Sequence, residues 1–166
     1  KNRKKSYHPK LAEAMEYSLL AKGKRLRPIL CLCACEAVGG QKETALAAAL
    51  ALESIHTYSL IHDDLPGMDN DDYRRGKLTN HKVFGEALAI LAGDALLTMA
   101  FEVLGKYGIK NPVKAWQMSK ILSERAGAGG MCAGQCADIL AENQHISPEE
   151  LNYIHEHKTA DLIIAA

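Results

Sequence analysis

From Pro9 onward the apolar residues of this chain fall at helical spacing, and no stretch alternates as a strand does. Pro9 suits the first position of a helix, and Leu11, Met15 and Leu19 then recur along one face. The pattern predicts a helix over 28–38, stopped by Gly39-Gly40, and another over 43–64, stopped by Pro66-Gly67. Residues 86–104 are mostly apolar, but Asp94, Thr98 and Glu102 form a polar stripe. That pattern predicts a nearly buried helix with one wet or functional face. Further helices are expected over 112–126 and 131–142. Ser147-Pro148-Glu149-Glu150 supplies an N-cap, a Pro at N1 and a Glu at N3 for a last helix. The fold class is all-α, with about seven helices, no internal repeat, and a single domain over residues 1–166. The last helix is apolar and uncapped at Ile163-Ile164-Ala165-Ala166, which predicts that the natural polypeptide continues.

Charge narrows the function classes. The 166 residues carry 20 Lys and Arg against 20 Asp and Glu, and 48% are apolar. Disorder needs low hydrophobicity with high net charge, and nucleic-acid binding needs a basic excess, so neither is expected. No uninterrupted apolar stretch approaches the roughly 18 residues of a membrane span. Lys1 to Lys5 is followed by no apolar segment and reads as a solvated end, not a signal peptide. Five cysteines without framework spacing predict free thiols in a reducing, cytoplasmic setting. Cys31, Cys33, Cys35, Cys132 and Cys136 lack the C-x-x-C pairing of structural zinc and read as small buried residues. The charge is nevertheless uneven: residues 1–27 sum to +7 and the remainder to −7.

The chemistry collects between Asp63 and Lys82. Asp63, Asp64, Asp69, Asp71 and Asp72 place five carboxylates within ten residues, and Arg74, Arg75 and Lys77 follow at once. Crowded carboxylates repel. A hard cation relieves that repulsion, and Mg²⁺ keeps positions open for substrate phosphates. The two arginines suit the remaining phosphate oxygens. A solvated acidic loop whose Asp residues cap helices is the plainer alternative. An EF-hand read from Asp69 fails, because Arg74 stands at the obligatory Gly and Asn80 at the bidentate Glu. Pro66 ends the preceding helix near Asp64, so Asp63 meets the negative end of the helix dipole, where a further carboxylate calls for a cation. His56 shares its helical face about 10 Å away. Upstream, Lys22-Gly23-Lys24-Arg25-Leu26-Arg27-Pro28 surrounds one Gly with four cations before a helix start, the pattern of an anion site. It is not a Walker loop, and a surface charge run is its alternative reading.

These segments resemble the trans-prenyltransferases, specifically short-chain isoprenyl diphosphate synthases of the farnesyl and geranylgeranyl type. The likeness rests on GKRLRP (Gly23 to Pro28), SLIHDDLPGMDNDDYRRG (Ser59 to Gly76), AGDAL (Ala92 to Leu96), GMCAGQCADI (Gly130 to Ile139) and HKT (His157 to Thr159). They occur in the family's order from Pro9 to the end. The resemblance implies an isoprenoid synthase-type helical bundle around a central apolar cavity. It implies Asp63 and Asp69 as Mg²⁺ ligands for an allylic diphosphate, supported by Asp64. Arg74, Lys158 and Thr159 are implied contacts of that substrate, and Lys24, Arg27, His56 and Arg75 of isopentenyl diphosphate. The implied catalytic set is Asp63, Asp69, Arg74 and Lys158. The implied reaction is metal-assisted ionisation of the allylic diphosphate, addition of the isopentenyl double bond and loss of a proton, in a homodimer.

Tyr58, five positions before Asp63, is the implied floor of the product pocket. With the Pro66-Gly67 insertion it favours a fifteen-carbon product, farnesyl diphosphate, and geranylgeranyl diphosphate is the alternative. The family's second Asp-rich motif is absent here, so the 166 residues alone are expected to be inactive. Lys22 stands where the family often has Gly, and Ala160-Asp161 where it has Gly-Ala. Asp161, three residues after Lys158, is placed to pair with it. Two other readings remain: a metal-dependent phosphohydrolase using His62-Asp63 to bind a transition metal, and a catalytically silent subunit of a full-length partner.

Overall fold

The computed structural model describes residues 7–166, so the Lys1 to Lys5 cluster lies outside the described residues. Helices α1 (Pro9–Leu19), α2 (Leu26–Ala37) and α3 (Lys42–Asp63) come first. A small antiparallel hairpin, β1 (Tyr73–Arg74) and β2 (Lys77–Leu78), precedes α4 (Asn80–Phe84) and α5 (Glu86–Gly108). Then follow α6 (Pro112–Ala126), α7 (Met131–Ala141), α8 (Pro148–Ile154), a π-helical segment His155–Ala160, and α9 (Asp161–Ile164).

The predicted helix stops hold. Pro opens α1, α6 and α8, and Gly39, with φ 78°, takes the left-handed position just past α2. The capping box at Ser147 is formed in both directions: Glu150 N donates to Ser147 Oγ at 3.2 Å, and Ser147 N to Glu150 Oε2 at 2.7 Å.

Three expectations need correction. The loop after Asp63 contains the hairpin and α4, neither of which was expected. Two-residue strands are too short to show period-2 alternation, and only the Arg75-Gly76 turn announces them. Both turn residues have positive φ (54° and 78°), as a two-residue hairpin turn requires. Helix α2 starts at Leu26, two residues before the expected Pro28. Pro is tolerated there because N–H groups of the first turn have no intrahelical partner. The last helix was expected to be regular, but one wide π turn interrupts it.

The cysteines also differ from expectation. Cys31 is buried, Cys35 is intermediate, and Cys33, Cys132 and Cys136 are exposed. Residues two apart on a helix lie about 200° around its axis, so Cys31 and Cys33 cannot both face one core. All five are free thiols.

The protein divides into two compact units, each taking part of α3 and part of α5. The first holds residues up to Lys24 with His56–Thr98. Its buried residues include Ala14, Met15, Ile61, Ala89, Ala92 and Leu96. Asn80 Nδ2 ties α4 to α1 by donating to Ala14 O (2.8 Å) and Ser18 Oγ (2.9 Å), and Tyr17 Oη donates to Leu78 O at 2.8 Å. The second unit holds Arg25–Ile55 with Met99–Ala166. It buries Ala51, Leu52, Ile55, Leu104, Leu122 and Leu162, and has a small, partly open apolar pocket of about 60 Å³ lined by Ala48, Leu52, Leu104, Met118 and Leu122 among others.

Helices α3 and α5 are long and apolar enough to cross a bilayer, with mean hydropathy 1.2 and 1.8 over eighteen residues. This departs from the expectation of no span, which counted uninterrupted apolar runs. A window average forgives isolated polar residues such as Glu53, His56 and Asp94. More than half of the α3 window is buried, as in a core helix, against one third for α5.

Candidate functional site

In the first unit α3 ends at Asp63, and Pro66 prevents its continuation. The chain turns tightly: Met68 N donates to Leu65 O at 2.9 Å, and Asn70, at φ 52°, donates to the same carbonyl at 3.1 Å. The Asp69 amide donates to Asp63 O at 2.9 Å. This turn folds Asp69 back onto the helix end and makes backbone neighbours of the two expected metal ligands. Asp63 is partly buried and Asp69 exposed.

Asp64 faces inward instead. It is 3% exposed and accepts from Arg74 Nε at 2.6 Å and Nη2 at 2.5 Å. Arg74 Nη2 also lies 3.9 Å from Asp63 and 3.7 Å from Asp71. Burial pushes the Asp64 carboxyl above its ordinary pKa, and its bonds to Arg74 only partly offset that. Burial opposes the charge of Arg74 too, but the Asp64 hydrogen bond together with the charges of Asp64, Asp63 and Asp71 outweighs it, and the guanidinium is held above its usual value. The hairpin thus delivers Arg74 to the acidic cluster, where it is shared among three carboxylates.

The turn of the same hairpin carries Arg75, whose Nη1 donates to Lys22 O at 3.2 Å. That bond joins the R-R-G segment to the start of the upstream cationic run, within which Lys24 is exposed. His56 is half-buried two turns before Asp63. Tyr58 is 8% exposed and meets the His62 ring edge to face, with centroids 5.7 Å apart. His62 Nε2 contacts Ile90 O at 3.0 Å. A carbonyl only accepts, so Nε2 carries the proton in this contact. Gly93 leaves no room for a Cβ against that ring. His62 and Gly93 therefore set how Tyr58 is supported, a role that their motifs did not disclose.

In the second unit Arg27 lies half-buried in the first turn of α2. Arg25 N-caps that helix in the left-handed region (φ 50°) and binds buried Glu53 at 2.6 Å. Lys158 and Thr159 sit on the π-helical segment. Lys158 Nζ pairs with Asp138 at 2.5 Å. The expected Lys158–Asp161 pair does not form. Asp161, 3% exposed, is taken by Arg125 Nη1 (2.6 Å) and His157 Nδ1 (2.7 Å). Burial alone would raise its pKa, but these two donors hold the carboxyl below its ordinary value. Sequence reasoning missed Asp138, although it lies inside a recognised segment. Among the described residues no group of three or more His, Cys, Asp or Glu side chains converges in a metal-binding arrangement.

The fold is that of known isoprenoid-type helical enzymes. A geranyltransferase from Legionella pneumophila superposes with a TM-score of 0.92 at 40% identity, over 99% of this chain and 59% of that one. The polyprenyl synthetase family model matches residues 8–166, and the chain belongs to that family. A farnesyl diphosphate synthase of Micrococcus luteus is 53% identical over 163 residues, 96% of this chain and 56% of that protein. The large subunit 1 of the heterodimeric geranylgeranyl pyrophosphate synthase of Arabidopsis thaliana is 55% identical over 163 residues, 95% of this chain and 44% of that protein. The chain spans about half the length of the curated relatives it matches.

Proposed function

We propose that the natural polypeptide condenses isopentenyl diphosphate with an allylic diphosphate, dimethylallyl or geranyl, to give farnesyl diphosphate. The observation carrying this reading is the turn in which the Asp69 amide caps the Asp63 carbonyl. It makes backbone neighbours of two carboxylate residues at the end of a helix, where negative charge is otherwise disfavoured. That donor set fits Mg²⁺, which is bound through one or two carboxylates and completes its shell with water and substrate phosphate. Asp63 and Asp69 would hold it, and when bound it supplies charge neutralisation for a departing diphosphate. Asp64 is buried beside them, and its Oδ1 accepts from both Arg74 Nε and Nη2.

The chain's own residues do the remaining work in this reading. Arg74, Lys158 and Thr159 hold the allylic diphosphate, and Lys24, Arg27, His56 and Arg75 hold isopentenyl diphosphate. Fixed cations at a leaving group are stabilising without reorganisation as charge develops. Tyr58 bounds the growing chain. Its near-complete burial and its ring contact with His62 support a rigid floor.

Geranylgeranyl diphosphate is the second product reading, because relatives 53–55% identical to this chain bear names of both kinds. The proposal extends to a cytoplasmic homodimer. Family resemblance supports the dimer, and five free thiols support a reducing compartment. A mixed dimer is the alternative, given one relative named as a heterodimer subunit.

The test is an assay of the full natural polypeptide with isopentenyl diphosphate, dimethylallyl diphosphate and Mg²⁺, with products resolved by chain length. The expected result is a fifteen-carbon product that disappears in Asp63→Ala. A twenty-carbon product refutes the Tyr58 reading alone, and no condensation refutes the activity.

A further inference from the structure

We propose that Asp161 is a positioning residue that locks the π-helical turn presenting Lys158, and so sets the affinity for the allylic diphosphate. The proposal rests on the reading of Lys158 as a contact of that substrate. A π turn widens the helix by one residue and loses the regular hydrogen-bond ladder, so it persists only where its surroundings hold it. Here the surroundings are specific. One Asp161 oxygen accepts from His157 Nδ1, inside the turn, and the other accepts from Arg125 Nη1 on α6. The carboxylate thus bolts the turn to a neighbouring helix by two charge-assisted bonds. Tyr153 packs against the His157 ring, with centroids 4.3 Å apart.

The opposite side of the turn is fixed by shape. Gly134 of α7 lies flush against the main chain of His157 and Lys158, with no space for even a methyl group between them. Lys158 is therefore held at its backbone from two directions. Its ammonium group, resting on partly exposed Asp138, is the part left to exchange partners when an anion arrives. A flexible lysine on a fixed base loses less freedom on binding than one on a mobile loop. The sequence segment HKT specifies the lysine, but the clamp that aims it comes from Asp161 and Arg125, which the motif does not include.

The experiment is steady-state kinetics of the full natural polypeptide and its Asp161→Asn variant, with each substrate varied in turn. An amide cannot accept from both donors as a carboxylate does, so the turn loosens while the volume is kept. The expected result is a KM for the allylic diphosphate raised about tenfold, the weight of one charge-assisted hydrogen bond. The KM for isopentenyl diphosphate should stay within about twofold. In a Lys158→Ala background, Asp161→Asn should produce no further change in the allylic KM. A loss confined to kcat, equal changes in both KM values, or an undiminished effect without Lys158 would overturn the proposal, since each marks a general structural role.

If Asp161→Asn does not fold, Arg125→Gln carries the same test from a partly exposed position and should shift the same constant. Calorimetric binding of inorganic diphosphate separates the proposal from the activity it rests on. Weaker binding by Asp161→Asn in a protein without condensation leaves the clamp standing and fails the activity. Equal binding by both proteins overturns the clamp.

Discussion

Replacing Gly134 by Ala sets two well-known effects against each other. In a helix interior, Ala is favoured over Gly by about 1 kcal/mol, so on helix propensity alone the variant gains stability. The geometry says the opposite. A Cβ at this position overlaps the Lys158 amide nitrogen, and the His157 carbonyl carbon lies only 2.6 Å away. These are backbone atoms, which cannot rotate aside as a side-chain tip can. Overpacking costs about 1–3 kcal/mol, and the upper end applies where backbone must move. The balance is a net loss of about 2 kcal/mol. With a urea dependence of about 2 kcal/mol per molar, the midpoint of unfolding falls by about 1 M. Gly105, on the exposed face of α5, is the control: a Cβ there meets nothing within 4 Å, so Gly105→Ala should gain up to about 1 kcal/mol. Urea unfolding of the full natural polypeptide reads both. A Gly134→Ala midpoint at or above that of the unmodified protein would refute the packing of α7 on the π-helical segment.

Three further outcomes follow from the same geometry. Asp64→Asn removes the carboxylate that neutralises half-buried Arg74, and thermal unfolding should show a loss of about 1–3 kcal/mol. Asp161 titrates below its ordinary value in the folded state, so its contribution is complete above the unfolded pKa of about 3.9 and is lost as pH falls through the native one. Asp161→Asn should therefore flatten the acid limb of stability measured by urea midpoints, and an unchanged acid limb would contradict the paired carboxylate. Tyr58→Ala deletes a buried ring beside the proposed chain path, and chromatography of products should show a shift from fifteen carbons to longer chains.

Much of this was legible because Pro and Gly act locally. Pro9, Pro66, Pro112 and Pro148, with Gly39, mark helix ends by what their own backbones forbid or allow, and no distant residue is needed. The pairing of Asp63 with Asp69 came from the family resemblance, because Pro66 by itself announced only the end of the helix and not the turn that follows it. What stayed hidden depends on partners far along the chain. Asp138 meets Lys158 across 20 positions, and Arg125 meets Asp161 across 36. Helical spacing alone favoured the nearer Lys158–Asp161 pair. That pair lost because the π turn re-aims the side chains on either side of it, and six residues of sequence do not encode a widened turn. The hairpin at Tyr73 was missed because its strands are shorter than the period that would reveal them.

The bonds that tie α1 to α4 have a consequence during synthesis. Asn80 lies 66 positions after Ala14, the carbonyl it binds. At about 5–20 residues per second, roughly 3–13 seconds separate the two leaving the ribosome's assembly line. Through that interval α1, at 11 residues, is shorter than the about 12–15 that an isolated helix needs to hold together in water. Its apolar face, Met15 included, stays open to any chaperone until the hairpin and α4 emerge to cover it. Helix α1 is thus made well before the partner that secures it.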